Sequence, residues 1–359
     1  MSDAELHGGG RKTAKGPART GDVNIRDIAA AAGVSVATVS RVMRSPDKVA
    51  NKTRTKVEEA IARLGYVPNA HALALTTPPN SVTLVVDSIQ GGTYSEMAAG
   101  VERESAERGM TFRLISTGGN WDDPVPMLNE LLSQRPRVAV LTASDAIDSN
   151  IDSVLNEYVD KFASIGASLV VLARPRKGLD GRIGVIDYAN ESGMRELTEY
   201  MISLGHRRFA FVGKREASSV FMARYRGFRE ALIQNGIDYD ESCDIAFTDD
   251  RDSMMANVMT AWRSGALNDV TAFVAATDAM ALYAIAGLGK CGVRVPGDAS
   301  VAGFDDMPFA EDLVVPMTTV HAPFGTMGRT AVRMGLEGVE NTVVMPTRLV
   351  VRGSVIPVR

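Results

Sequence analysis

The sequence predicts an α/β protein in two parts: an all-α helix-turn-helix unit at the amino end, then doubly wound parallel sheets in two lobes. Three short helical patterns lie close together between residues 24 and 66. From residue 81 onward, β-branched runs alternate with amphipathic helices, which is typical of buried parallel strands. About ten strands are too many for one compact sheet, so we expect two lobes.

Length and composition indicate a globular chain without a membrane span. The 359 residues suit two or three units, and no apolar run approaches the roughly 20 residues that cross a bilayer. Residues 1–21 are polar and glycine-rich and lack the apolar segment of a secretory signal, so we interpret them as a disordered arm. Cys243 and Cys291 form neither a disulfide framework nor a metal spacing, which fits a reducing cytoplasm.

Charge is unevenly distributed along the chain. Between residues 11 and 56 there are 11 Lys and Arg against 3 Asp and Glu, although the whole chain has a net charge of −4. A basic amino end on an acidic body predicts that nucleic acid binds at that end only. A solvated, charged face is the alternative, and charge by itself does not decide between them.

Each of the three amino-terminal helices has a predicted start. Asn24 is a good N-cap for "IRDIAAAA", with Asp27 in the capping-box position, and Gly33 can end that helix in the left-handed conformation. Ser35 caps a second helix, "VATVSRVMR", only about three residues later, which is the length of a helix-turn-helix connection. Asn51 caps a third, "KTRTKVEEAIARLGY".

The second helix carries an apolar inner face and a small, basic outer face. We expect Val39 and Val42 to pack against the other helices, which leaves Val36, Ala37 and Arg41 outside. Small residues allow close entry into the major groove, where their methyl groups can meet a thymine methyl. Arg41 can donate to O6 and N7 of guanine, a contact worth about 1–3 kcal/mol of base discrimination.

Three polar residues flank that face. Ser35, Thr38 and Lys52 are predicted to contact phosphates, which sets the position of the protein rather than the sequence that it reads. The alternative is a generic three-helix bundle with a polar surface. The short turn, the three caps and the basic excess together favour DNA binding.

The large unit is predicted from alternating patterns. Strands are expected at "VTLVVDS", "TFRLIST", "RVAVLTAS", "SLVVLAR", "RIGVID", "RFAFVG", "DIAFTD", "AFVAA" and "SVAGFD". Helices are expected at "SEMAAGVERESAERG", "VPMLNELLSQ", "ESGMRELTEYMISLG", "YRGFREALIQNG", "DSMMANVMTAWRSG" and "DAMALYAIAGLGKCG". In open α/β sheets of this kind, ligands bind at the carboxyl ends of the strands.

The stretch "IRDIAAAAGVSVATVSRVMRSPDKVANKTRTKVEEAIARLGYVPNA" resembles the DNA-binding headpiece of LacI/GalR transcriptional regulators. The resemblance implies a homodimer that reads a pseudopalindromic operator. It also implies a hinge over residues 67–80, in which Leu75 wedges into the minor groove while Tyr66 and Asn69 contact phosphates. Leu73 stands where an arginine is common, so this hinge is less basic than is usual in the family.

Resemblance to the same family continues at "YMISLGHRRFAFVG", "RYRGFREALIQNGI", "ATDAMALYAI" and "VRVPGDASVAGFDDMPFAEDL". It implies a two-lobed periplasmic-binding-protein type I effector domain. The implied divisions are a headpiece at 22–66 and an effector and dimerisation domain at 81–359. Lobe 1 would then comprise about 81–186 and 318–346, and lobe 2 about 187–317 and 347–359.

The resemblance places effector contacts in the cleft. Arg224 in "RYRGF" and Asp305 in "GFDD" would grip a sugar's hydroxyls from two sides. Thr277 and Asp278 follow a strand, although Asp278 is as readily the N-cap of the next helix. Arg174 matches an arginine of the family.

Two aromatic residues are further candidates. Tyr94 and Phe247 could stack on a sugar, with plain core packing as the alternative for both. The pocket departs from the family pattern at Ser88, Gly92 and Ala173, where an aspartate, a proline and an aspartate are usual.

These observations predict a sequence-specific transcriptional regulator, a repressor of carbohydrate genes controlled by a sugar-like effector. One alternative is a regulator controlled by a protein partner, with a vestigial cleft. Another is a solute-binding receptor, which would need a signal peptide and no headpiece. No dinucleotide, Walker A or His-Glu-x-x-His motif occurs, so we expect a protein that is not an enzyme and has no cofactor or metal. We also expect it to be cytoplasmic and associated with the nucleoid.

Overall fold

The computed structural model divides the protein into two units, one amino-terminal to residue 79 and one that begins there. It describes residues 23–44, 46–66, 80–89, 92–119, 121, 123–142, 151–173, 178–338 and 342–358. Our predictions for the arm at 1–21, for Asn69, Leu73 and Leu75 in the hinge, and for Arg174 lie outside the described residues.

The amino-terminal unit consists of helices α1 (Ile25–Ala32), α2 (Val36–Arg44) and α3 (Asn51–Leu64), with a 3₁₀ turn at Pro46–Lys48. The Asn24 side chain accepts a hydrogen bond from the Arg26 amide at 2.8 Å, and the Asp27 carboxylate accepts one from the Asn24 amide at 2.8 Å. Gly33 has φ +67° and ends α1. The predicted capping box and glycine stop are therefore confirmed.

The start of α2 is confirmed as well, but the predicted start of α3 is wrong. The Ser35 hydroxyl accepts a hydrogen bond from the Thr38 amide at 3.1 Å, as an N-cap should. Asn51, however, is already the first residue of α3. The carbonyl of Ala50 accepts from the amides of Thr53 and Arg54 at 2.9 and 3.0 Å, so the helix starts one residue earlier and has no side-chain cap.

A small core joins the three helices. Ile28, Val39 and Val57, one from each helix, are completely buried. Val42 is buried beside them, whereas Ile61 and Leu64 of α3 are only half-buried. Burying one such side chain from each helix contributes about 2 kcal/mol of stability per helix. This packing holds the helices together, because isolated helices of this length are marginal in water.

The second unit contains two parallel sheets, as predicted, and a two-stranded antiparallel sheet. Its strands are β1 (Ser81–Val86), β2 (Thr111–Ser116), β3 (Val138–Thr142), β4 (Ser168–Leu172), β5 (Gly184–Tyr188), β6 (Phe209–Lys214), β7 (Asp244–Ala246), β8 (Ala272–Ala275), β9 (Ser300–Ala302), β10 (Thr319–His321), β11 (Thr342–Met345) and β12 (Arg348–Val350). Its helices are α4 (Gly92–Glu107), α5 (Val125–Gln134), α6 (Ile151–Ser164), α7 (Asn190–Ser203), α8 (Ser219–Gln234), α9 (Arg251–Arg263), α10 (Asp278–Lys290), α11 (Pro308–Asp312) and α12 (Phe324–Glu337), with a 3₁₀ turn at Glu241–Cys243.

Each parallel sheet is the centre of one lobe. The first has the order β11-β5-β4-β3-β1-β2, and the second has the order β7-β6-β8-β9. The chain leaves the first sheet after β5, returns to it through α12 and β11, and leaves it again at β12, which pairs antiparallel with β10. Strand order reverses around β1 and β6, and such points create a crevice at the carboxyl ends of parallel strands.

Several elements were not predicted from the sequence. They are α6, α11, α12, β10, β11, β12 and the two 3₁₀ turns. Helix α12 lies so close to α4 that a Cβ at Gly100 would overlap the carbonyl oxygen of Gly325, and one at Gly328 would overlap that of Met97. Glycine at these positions lets the last long helix pack directly on the first lobe.

Candidate functional site

The outer face of α2 is open to solvent. Val36 is 40% exposed, Ala37 and Arg41 are exposed too, and Val39 and Val42 are turned into the core. The predicted division of the helix into an inner and an outer face is confirmed. Two small apolar side chains and one guanidinium group, one turn apart on a helix, form a surface that can fit the major groove and donate to a guanine.

Polar residues surround this face. The Ser35 and Thr38 hydroxyls lie 2.8 Å apart at the first turn of α2, where unpaired helical amides favour an anion. Lys52 is exposed on the first turn of α3, and Tyr66 is half-buried against the small core. Ser35, Val36, Ala37, Thr38 and Arg41 thus share one helix and its cap, and Lys52 and Tyr66 belong to the next helix and its end.

A cleft lies between the two sheets of the second unit. Tyr94, Thr142, Ala173, Tyr188 and Phe324 line it from the first lobe, and Ser218, Phe221, Arg224, Thr277 and Asp305 line it from the second. Its cavity is only about 80 Å³. Ligand pockets usually measure about 300–1,000 Å³, so a molecule as large as a sugar enters only when the lobes or their side chains move apart.

Arg224 is the centre of the cleft. It is 1% exposed, and its guanidinium group donates to Asn190 Oδ1 at 2.9 Å, to the Ala276 carbonyl at 2.5 Å, to the Tyr188 hydroxyl at 2.8 Å and to Asp305 Oδ1 at 2.7 Å. Four of its five N–H groups are therefore engaged.

Electrostatics and stacking hold Arg224 in this position. Burial opposes its charge, but the oxygens of Asp305 and Tyr188 outweigh burial and raise the pKa of Arg224. The guanidinium carbon lies 3.9 Å from the centre of the Phe304 ring. From the sequence we expect Arg224 and Asp305 to grip a ligand from two sides. In the structure they form a direct ion pair instead. A ligand must therefore replace or share that ion pair.

Backbone strain is concentrated at the same cleft. Ala173 has φ +61° and Asp305 has φ +112°, both in the region that favours glycine. Such conformations cost about 1–3 kcal/mol each and cluster at functional sites. Ala173 stands where the family often has aspartate, a residue that tolerates the left-handed conformation better than alanine does.

Ser218 is a cleft residue that the sequence analysis missed. It is almost completely buried, it precedes α8, and its hydroxyl makes no hydrogen bond to any described residue. A buried hydroxyl without a partner costs about 1–3 kcal/mol unless a ligand or water satisfies it. No motif in the sequence distinguishes Ser218 from Ser219, so only the structure could find it.

Asp278, a predicted contact, is not among the residues that line the cleft. Asp278 is completely buried, and its carboxylate accepts from the Thr319 hydroxyl at 2.5 Å and from the Met307 amide at 2.7 Å. Burial, helped by the negative charge of Asp305, raises the pKa of Asp278 to about 7. The N-cap alternative for Asp278 is wrong, because the Thr277 hydroxyl caps α10 by accepting from the Met280 amide at 3.2 Å.

Aromatic residues divide between the cleft and its support. Tyr94 lines the cleft and donates to Asp87 Oδ2 at 3.1 Å, which fixes the ring. Phe247 lies behind the wall, where it packs edge-on against Phe221 with ring centres 5.3 Å apart. Phe221, which was not predicted as a contact, therefore supplies the second aromatic surface of the cavity, and Phe247 packs against it.

Comparisons with known proteins agree with both parts of the chain. Residues 24–69 match the model of bacterial regulatory proteins of the lacI family, and residues 198–355 match a periplasmic binding protein-like domain. The HTH-type transcriptional regulator DegA of Bacillus subtilis (strain 168) is 32% identical over 93% of this chain and 98% of its own length. The chain belongs to the LacI family. It is a helix-turn-helix, DNA-binding transcriptional regulator.

Two further relatives of this LacI family member stand out. The HTH-type transcriptional regulator CelR of Thermobifida fusca is 33% identical over 90% of this chain and 94% of its own length. A solved structure of a transcriptional regulator CelR-cellobiose complex is 31% identical, covers 92% of this chain and 99% of the solved chain, and has a TM-score of 0.66. The solute-binding receptor that the sequence left as an alternative is therefore wrong.

In the part of the chain that the structure describes, no group of three or more His, Cys, Asp or Glu side chains is arranged to hold a metal ion. Among the same residues, none of the helices has the length and apolar character that crossing a bilayer requires.

Proposed function

We propose that this LacI family regulator represses carbohydrate genes and that a neutral, sugar-like molecule bound in the cleft controls its affinity for DNA. The observation that carries the proposal is the cleft itself. Aromatic rings of Tyr94 and Phe221 stand beside hydrogen-bonding groups of Ser218, Arg224 and Asp305, the combination that fits the faces and hydroxyls of a sugar. The similarity to a cellobiose-bound regulator supports this class of effector.

The effector site that we propose has two tiers. Tyr94, Ser218, Arg224, Thr277 and Asp305 would contact the ligand, and Arg174, which lies outside the described residues, stays a predicted contact. Asp278 and Phe247 would act behind them, as supports of the loop at Met307 and of the Phe221 ring.

Control would arise by a shift between lobe arrangements. Because the cavity of about 80 Å³ is too small for a sugar, an effector selects a more open arrangement of the two lobes. Such a shift typically changes affinity at a second site by about 1–3 kcal/mol. The lobe boundaries implied by the family, near 186, 317 and 346, are part of this proposal.

On the DNA side we propose a homodimer that reads a pseudopalindromic operator. Val36 and Ala37 would contact thymine methyls and Arg41 a guanine, while Ser35, Thr38, Lys52 and Tyr66 contact phosphates. Asn69 and Leu75, outside the described residues, would serve as a phosphate contact and as the minor-groove wedge. A regulator of this kind acts in the cytoplasm on the nucleoid and has no enzymatic role.

Arg41→Ala tests the DNA-reading surface. We expect the variant to lose discrimination between the operator and random duplex while general DNA affinity survives, and Lys52→Ala to weaken binding to all sequences alike and reduce its salt dependence. Footprinting and fluorescence anisotropy at several salt concentrations measure both effects. An unchanged footprint for Arg41→Ala would remove that residue from base reading.

Calorimetric titration over a panel of neutral sugars tests the cleft. We expect a sugar that binds the intact chain to lose at least ten-fold in affinity for Ser218→Ala and to lose its effect on DNA binding in Arg224→Ala. The Ser218 variant changes one hydroxyl only, so it guards against a result caused by misfolding. Normal effector release by both variants would place the effector elsewhere.

One observation favours the second candidate, control by a protein partner. Four of the five N–H groups of Arg224 are already engaged within the protein, which leaves little capacity for a ligand. If no sugar in the panel produces heat or alters DNA binding, the cleft is vestigial and a protein partner becomes the better proposal.

A further inference from the structure

A second cavity adjoins the cleft, and Tyr188 and Val220 line both. It measures about 650 Å³ and is lined by residues of both lobes: the ends of β5 and β11, and the first turns of α7 and α8. Successive strand residues point to opposite faces. The Tyr188 hydroxyl therefore faces Arg224 and the cleft, whereas Asp187 lies beside its strand partner Val344 on the face of the second cavity.

Asp187 is a buried carboxyl group, one oxygen of which lacks a hydrogen-bond partner. The residue is 7% exposed, and its Oδ1 has no hydrogen-bond partner among the described residues. Burial raises the pKa of Asp187 to about 6. The carboxylate accepts a hydrogen bond from the Tyr188 backbone, but Oδ1 has no donor. A buried carboxylate oxygen without a donor is unfavourable, so a donor from outside the chain would stabilise it.

Donors face the same cavity. Helix α7 begins at Asn190 and helix α8 at Ser219, and neither has a side-chain cap hydrogen bond. Amide groups at the first turns of both helices are thus free of side-chain acceptors. The Ser219 hydroxyl is also buried and without a partner. One acceptor and several donors therefore line a space that both lobes share.

The charges around the cavity do not favour an anion. Arg195 is paired with Glu230 at 3.1 Å and Arg226 with Glu191 at 3.1 Å, so both cations are neutralised. An anion would, in addition, meet the Asp187 carboxylate. Neutral hydroxyl groups can donate to Asp187 and accept from Ser219 and the helix amides, and the apolar wall, which includes the 59% exposed Val344, suits the C–H face of a polyol.

We propose that this cavity is a second binding site for a small, neutral, polyhydroxylated molecule, distinct from the effector cleft. Asp187 accepts from a ligand hydroxyl, and Ser219 and the amino-terminal amides of α7 and α8 donate to others. Because Asp187 belongs to the first lobe and Ser219 to the second, a bound molecule bridges the lobes and favours one arrangement of them.

Two methionine methyl groups make the test specific to each site. Met222 lines the second cavity and Met97 lines the cleft. The full chain, labelled with ¹³C at its methionine methyls, is titrated with D-glucose, myo-inositol and cellobiose, and Met222→Leu and Met97→Leu identify the two signals. We expect at least one of these probes to shift the Met222 signal saturably. If none of them does so, the proposal is wrong.

The neighbouring serines supply matched variants. Ser219→Ala and Asp187→Leu are expected to weaken the Met222 response at least ten-fold, whereas Ser218→Ala leaves it unchanged and alters only the response of Met97. Asp187→Leu removes a carboxyl group whose burial is unfavourable, and a urea midpoint no lower than that of the parent chain excludes misfolding. A Met222 shift that persists in both Ser219→Ala and Asp187→Leu overturns the proposal.

The same experiment separates this proposal from the proposed effector cleft. A response at Met222 without any response at Met97 supports the second site and counts against the cleft as a sugar site. A response at Met97 alone supports the cleft and overturns the second site.

Discussion

Arg224 and Asp305 form an ion pair that water hardly reaches, and each side chain depends on the other. The two are 2.7 Å apart, with exposed side-chain fractions of 2% and 3%. Asp305→Ala leaves a buried guanidinium without its counter-charge, and we expect it to lower the free energy of unfolding by about 3–5 kcal/mol. Urea denaturation of the second unit measures the change.

Two further variants complete that measurement. Arg224→Met combined with Asp305→Ala should cost less than the sum of the single changes, because no unpaired charge remains. Asp298→Ala is the matched control, since Asp298 pairs with Arg294 at the surface, where an ion pair contributes about 0–1 kcal/mol. Equal losses for Asp305→Ala and Asp298→Ala would contradict the importance of burial.

Asp278 predicts that stability falls as pH rises. Its pKa is about 7 in the folded protein, against 3.8 for the ordinary group, so the folded chain keeps a proton that the unfolded chain releases between those values. The resulting stability is full below about pH 4 and is lost as pH approaches 7. Asp187, with a pKa of about 6, acts in the same direction.

Asp278→Asn removes this titrating group from the folded and the unfolded chain. We expect the free energy of unfolding of the variant to fall less than that of the parent chain between pH 4.5 and 7.5, as measured by urea denaturation across that range. Asp240→Asn serves as the control, because it replaces a fully exposed carboxyl whose pKa is lowered by its hydrogen bonds to Ser242. Parallel pH profiles for the parent chain and Asp278→Asn would show that Asp278 does not titrate in this range.

Among the secondary-structure elements, α1 and α3 differ in how they begin. Asn24 caps α1, whereas Asn51 is the first residue of α3 and does not cap it. We expect Asn24→Ala to weaken α1 by about 1 kcal/mol, which is about a five-fold increase in the exchange rate of its first protected amides. Asn51→Ala should leave the exchange in α3 unchanged. Hydrogen exchange by NMR compares the two, and equal effects would mean that the cap assignment is incorrect.

Local patterns explain why most elements could be predicted and some could not. The buried strand "SLVVL" and the helix "VPMLNELLSQ" carry their own periodicity, so the sequence defines them within a residue or two. Strand β12 has only three residues, and β11 is exposed at two of its four positions. Such strands exist because partners from distant sequence pair with them, and no local pattern records that pairing.

The site residues could likewise be predicted where local motifs surround them, but not where distant contacts place them. Arg224 and Asp305 could be found because motifs surround them, and Thr277 because it follows a strand. Asp278 was misplaced because its carboxylate turns toward Thr319 and Met307, which lie far along the chain. Which of two adjacent residues reaches the cleft depends on how a helix is rotated, and a single sequence does not specify that rotation.

In the whole molecule, each lobe has an apolar core of its own, and a third core is shared between the lobes. One cluster, with Leu128 and Phe162, belongs to the first lobe, and another, with Phe273 and Leu288, belongs to the second. The largest cluster includes Tyr188 and Phe324 of the first lobe and Phe228 and Phe304 of the second. Opening the cleft therefore disturbs shared apolar contacts, while each lobe keeps a core of its own.

This arrangement predicts gated entry of a ligand. Because the closed cavity holds about 80 Å³, the binding rate should approach a plateau at high ligand concentration, set by the rate at which the lobes open. Stopped-flow fluorescence, with Trp121 as reporter through its hydrogen bond to Asp87 beside Tyr94, measures the observed rate against concentration. A rate that stays linear up to millimolar ligand would mean that the cleft is open in solution.

If both proposed sites bind a ligand, the adjacent serines at the start of α8 would make the regulator respond to two ligands. The amino-terminal end of α8 lines both cavities, so a molecule in either cavity acts on the same helix. By thermodynamic reciprocity, whatever the first occupant does to the second, the second does equally to the first. A cell could in this way make its response to one nutrient conditional on another without any additional protein.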